Sequence, residues 1–60
     1  MDELFIIGLD KTIRVMEALV DSGYAVRVQL FLRQESDGDF ADLIDKNIYS
    51  LIYETTEQQQ

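Results

Sequence analysis

Sixty residues, 47% hydrophobic and 28% charged, describe one small folding unit, residues 1–60, too apolar and too patterned to be disordered along its length. With no cysteine and no histidine, the chain lacks a disulfide framework, a thiolate metal site, the usual general base and the commonest metal ligand. Twelve acids against five bases give a net charge of −7, which repels nucleic acid and anionic membrane and attracts basic protein faces, besides serving solubility.

A chain this short buries only about 60% of the surface its unfolded form exposes, so self-association or a partner is expected. Its longest apolar run, residues 4–7, is far short of the roughly 20 residues that cross a bilayer, and Asp2 and Glu3 precede it where a secretion signal carries positive charge. The expectation is a soluble protein of a reducing cytoplasm, away from membranes.

Over residues 2–22 the apolar positions Phe5, Ile6, Leu9, Ile13, Met16 and Val20 stay in phase at 3.6 residues per turn. This coherence favours a single long helix, with Asp2 as N-cap, Met1 and Ile6 as a hydrophobic staple, and Gly23 as the left-handed stop. A competing reading makes residues 4–7 a short buried strand, turns at Gly8 and starts the helix at Asp10, because consecutive isoleucines favour strands and glycine weakens a helix. Both readings make residues 11–22 helical. On the continuous helix, Leu4, Ile7, Val15 and Ala18 form a second apolar group, which points to a helix-mediated dimer interface.

Residues 24–34 alternate as a half-buried strand does, with Tyr24, Val26, Val28, Leu30 and Leu32 on one side and Ala25, Arg27, Gln29, Phe31 and Arg33 on the other. Asp37 and Gly38 signal a turn. Asp39 then caps a short helix over residues 40–46 that Asn47 ends. Residues 48–55, rich in β-branched and aromatic side chains, read as a second strand pairing with the first. Tyr49, Leu51 and Tyr53 alternate with Ile48 and Ile52, so both of its faces are partly apolar, one for the helix and one for a partner. Residues 56–60 form a polar tail expected to fray. The fold class expected is α+β, a long N-terminal helix packed on a small antiparallel sheet with a short acidic helix between the strands.

Catalytic chemistry is hard to assemble from this composition. Ser22, Ser36 and Ser50 have no nearby base, and the glycines at 8, 23 and 38 are isolated rather than grouped as a phosphate cradle. A calcium loop starting at Glu35 meets Lys46 where a bidentate Glu is required, and one starting at Asp37 meets Ile48. Lys11, Arg14, Arg27, Arg33 and Lys46 are dispersed among acids, which argues against direct nucleic-acid binding. Neither an enzyme nor a cofactor is expected.

The densest uncompensated charge is Glu35, Asp37, Asp39, Asp42 and Asp45, with no base until Lys46. Extended, the first three place carboxylates on one side at roughly 6.6 Å intervals. Such a row imitates a phosphate backbone for a groove built to hold one. The plainer reading is a solvated loop whose acids favour a helix N-terminus.

At Gln34-Glu35-Ser36, which follows the apolar strand, the chain resembles the small acidic uracil-DNA glycosylase inhibitors of bacteriophages, DNA mimics that pair a helix and a sheet. Small size, acidity and absence of cysteine extend the resemblance; the chain departs from it at Asp37-Gly38-Asp39, where that family continues with an apolar run. The resemblance implies that Glu35 and Ser36 contact the DNA-binding loops of the glycosylase. It also implies an apolar pocket for a side chain of the enzyme, which Phe40, Leu43, Ile44, Tyr49 and Tyr53 are available to build.

The expected site is therefore Gln34, Glu35, Ser36, Asp37, Asp39 and Asp42 with Phe40, Leu43 and Ile44, presented to a protein partner with a basic DNA-binding groove in a phage-infected bacterial host. Two alternatives stand beside it. One is an anti-restriction mimic aimed at a different enzyme, and the other is a homodimeric scaffold or regulator whose acids serve solubility alone.

Overall fold

The computed structural model describes residues 1–36 and 45–59. Strand β1 (Asp2–Ile7) leads into helix α1 (Leu9–Asp21), followed by strands β2 (Ala25–Gln34) and β3 (Ile48–Thr55) and a turn of 3-10 helix, Thr56–Gln59. The strands form one antiparallel sheet in the order β1-β3-β2, so the last strand in sequence is the central one. The chain is an α+β unit with α1 lying against all three strands.

The continuous helix over residues 2–22 is corrected: six of its residues are a strand. Every position from Leu4 to Ile7 is apolar, so this segment carries no two-residue period, and its helical phase with Leu9 and Ile13 is a coincidence of spacing. Pairing decides the outcome, since Asp2 faces Tyr53 and Ile7 faces Ile48 along an unbroken register. The sheet thus has three strands rather than the expected pair. Leu4 and Ile7 consequently leave the helix, and the helix-borne dimer patch they shared with Val15 and Ala18 does not exist as one surface.

Gly8 makes the bend between strand and helix. Its φ of 97° lies where L side chains are strained, and a Cβ there would meet the Asp45 carbonyl oxygen at 3.1 Å. Gly8, not Asp2 or Asp10, is the N-cap, and no side chain caps the helix. The Gly8 carbonyl accepts the first helical bond, from the Thr12 amide at 3.1 Å, and also the buried Thr12 hydroxyl at 2.7 Å. Asp10, in the first turn, favours the helix dipole. At the other end Gly23 adopts φ 77° and its amide donates to the Val20 carbonyl at 3.0 Å, the expected left-handed stop.

Beneath the helix lie Ala25, Tyr49, Leu51, Tyr53 and Thr55, all buried. Leu51 is fully enclosed at the middle of the central strand, a burial that contributes roughly 1.5–3 kcal/mol. Tyr24 and Tyr53 meet in a tilted arrangement, ring centroids 6.2 Å apart and planes at 48°. Burial raises the Tyr53 phenol above its ordinary value of 10.0, and the negative charge of Asp2 and the neighbouring Tyr24 raise it further. Irregular register between Ala25 and Arg27, and again between Leu32 and Gln34, shifts the alternation of β2. Ala25 therefore pairs with Thr55 on the helix-covered face, opposite to its expected side. Thr56 ties the chain back onto the helix exit, its hydroxyl donating to the Gly23 carbonyl at 2.8 Å and its amide to the Tyr24 carbonyl at 3.1 Å.

Candidate functional site

Gln34 closes β2 opposite Ile48, and the chain leaves the sheet through Glu35 and Ser36. Glu35 is exposed, whereas Ser36 is half-buried and held from below. Its backbone N–H donates to the Asn47 Oδ1 at 2.9 Å, with the Ser36 hydroxyl 3.4 Å from the same oxygen. Asn47, buried just before β3, donates through Nδ2 to the Tyr49 hydroxyl at 3.2 Å, and its carbonyl accepts the Gly8 amide at 2.9 Å. One asparagine thus joins the end of β1, the exit of β2 and the entry to β3. The sequence reading gave Asn47 only the role of ending a helix over residues 40–46, most of which lies outside the described residues. Its long-range bonds had no local signal.

This anchorage defines what the acidic junction can do. Exposed Glu35 sits between the end of β2 and the anchored Ser36 amide. The ion pairs Arg33–Glu3 at 3.1 Å and Arg27–Glu54 at 3.9 Å lie on the sheet and involve other acids. The remaining expected contacts, Asp37, Asp39, Asp42, Phe40, Leu43 and Ile44, lie outside the described residues, as does most of the helix expected over residues 40–46. Tyr49 and Tyr53, considered with them for an apolar pocket, are buried core side chains.

A second feature is the sheet face turned away from α1. Rows of paired residues place Ile7 beside Ile48, and Phe5, Ser50 and Phe31 side by side, with Ile52 one row further along. Phe5 is 65% exposed and Ile7 63%, while Ser50 between the two phenylalanines is completely covered. Arg33 explains the cover. Its guanidinium lies 4.9 Å from the Phe31 ring centroid, Nε donates to the Ser50 hydroxyl at 2.7 Å, and Nη2 reaches Glu3 on the far strand at 3.1 Å. The side chain therefore spans all three strands. Arg27 and Glu54 mark the opposite rim. The alternation of Ile48 and Ile52 announces this face in the sequence; the parts of Phe5, Phe31 and Arg33 emerge only with β1 in the sheet.

The described surface has a recess of about 190 Å³ lined by Gly23, Tyr24, Thr55, Thr56 and Glu57, and an open depression of about 400 Å³ beside Asp10, Ile13 and Arg14. Among the described residues no three carboxylates converge as a metal site, and no helix is long and apolar enough to cross a membrane. No family model, curated protein or solved structure matches this chain.

Proposed function

We propose that this chain is a non-catalytic protein inhibitor that occupies the basic groove of a DNA-processing enzyme by imitating DNA. The observation that carries the reading is the anchored exit of β2, where the Ser36 amide is held by buried Asn47 and the neighbouring Glu35 is exposed. Glu35 opens the run of acids that continues with Asp37, Asp39, Asp42 and Asp45 in a chain of net charge −7. In this reading those carboxylates replace phosphates, and Phe40, Leu43 and Ile44 add apolar affinity that salt does not screen. On the resemblance at Gln34-Glu35-Ser36 the enzyme is a uracil-DNA glycosylase, and the setting is the cytoplasm of a phage-infected bacterium.

Uracil excision titrated with the protein tests the specific target, and competition with duplex DNA for the glycosylase tests the mode. Inhibition at stoichiometric ratio, weakened by Glu35→Gln and by Asp39→Asn and by added salt, is the expected result. Undiminished excision at stoichiometric excess removes the glycosylase as target. An affinity indifferent to both substitutions and to salt removes mimicry itself, because charge replacement is its physical basis.

A further inference from the structure

We infer that the sheet face opposite α1 is a self-association surface, on which a second copy of the chain docks to give a helix–sheet–sheet–helix sandwich. The inference is independent of the proposed inhibitory role, which uses the junction at Glu35 instead. A sheet buries one face under a helix and requires a second layer for the other if that face is apolar. Here it is apolar at Phe5, Ile7, Phe31, Ile48 and Ile52, and the chain's single described helix is committed to the other side. Together Phe5 and Phe31 leave uncovered the equivalent of one whole aromatic side chain, on the order of 200 Å². Ile7 adds to it.

Charge selects the occupant. Among the described residues the face carries Glu3, Arg33, Arg27 and Glu54, two acids and two bases already paired, so it is locally neutral in a chain with an excess of −7. A basic partner is drawn to that excess and gains nothing electrostatic here, and an anionic membrane meets no unpaired base on this face. A second copy meets it without like-charge repulsion, and it is also the one partner present whenever the chain is made. Three strands about 4.8 Å apart and some seven residues of about 3.3 Å rise give a flat footprint of roughly 330 Å² per copy. Doubled, this is roughly 660 Å² in total, below the roughly 1,200 Å² of standard interfaces, so the dimer is a weak, reversible one in which the sheets stack about 10 Å apart.

Sedimentation of the wild-type chain across the micromolar range tests the inference directly. Twice the 7.0 kDa chain mass and a Tm that climbs with concentration are expected. Phe5→Glu should weaken association by more than roughly tenfold while retaining the helix signal in circular dichroism, whereas Val20→Glu, on the solvent-exposed edge of α1, should leave it unchanged. Because the chain has no cysteine, Ile52→Cys supplies a reporter that needs no destabilising charge; it should form a disulfide-linked dimer on oxidation much faster than Val20→Cys. A wild-type protein that stays at 7.0 kDa with a concentration-independent Tm overturns the inference, and so does preferential cross-linking through Val20→Cys.

Discussion

Ser36 and Asn47 are joined by a 2.9 Å bond from the backbone amide of one to the side-chain oxygen of the other, and this contact fixes where the chain leaves the sheet. Asn47→Ala removes that acceptor and the donor to the Tyr49 hydroxyl together, leaving buried polar groups unmatched. A loss of about 1–3 kcal/mol is expected. Urea denaturation measures it, and amide exchange at Ser36 should accelerate in step; an unchanged urea midpoint would contradict the assignment.

The two left-handed glycines separate conformational strain from crowding. Gly23 has φ 77° and nothing within 4 Å of the point an alanine methyl would occupy, so Gly23→Ala should cost only the roughly 1–2 kcal/mol of the backbone conformation. Gly8→Ala adds a contact of 3.1 Å with the Asp45 backbone to a comparable strain. Its Tm should fall further than that of Gly23→Ala, and equal losses would mean that the β1–α1 bend relaxes freely.

Arg33 and Arg27 both pair with a glutamate, yet their substitutions should differ. Arg27 is exposed and its 3.9 Å contact is long, so Arg27→Ala should alter stability by less than about 0.5 kcal/mol. Arg33→Ala strips the cover and the hydrogen bond from Ser50, and a loss of about 1–3 kcal/mol is expected. Chemical denaturation of both variants checks the contrast.

Tyr53 sets an alkaline limit. Its folded-state value lies above the ordinary 10.0, so as pH rises past 10 the unfolded chain gives up this proton before the folded chain does. The unfolded state then binds fewer protons and stability falls with pH, having been fully present below that range. Tm measured through this window should decline less in Tyr53→Phe than in the wild type.

How far the sequence announces this fold depends on whether a signal is local. β3 is legible to its ends because Ile48, Tyr49, Ile52 and Tyr53 favour strand wherever they fall, and β2 is legible within a residue through its alternation. β1 is ambiguous because Phe5, Ile6 and Ile7 satisfy both periods, and only Tyr49 and Ser50, far along the chain, resolve it. The irregularity at Val26 has no turn residue to mark it, so the sidedness of Ala25 is hidden. Gln34, Glu35 and Ser36 stand at the strand's end as the alternation places them, but the asparagine that holds Ser36 has no such signal, since its role arises from three separate segments meeting.

Because β3 lies between β1 and β2, the two earlier strands share no backbone ladder with each other. During synthesis the nascent chain therefore emerges with Phe5, Ile6 and Ile7 unmatched, and no part of the sheet closes until the final strand clears the ribosome. Distant contacts dominate the fold, which places it among the slower-folding topologies and leaves the greasy first strand uncovered in the interval.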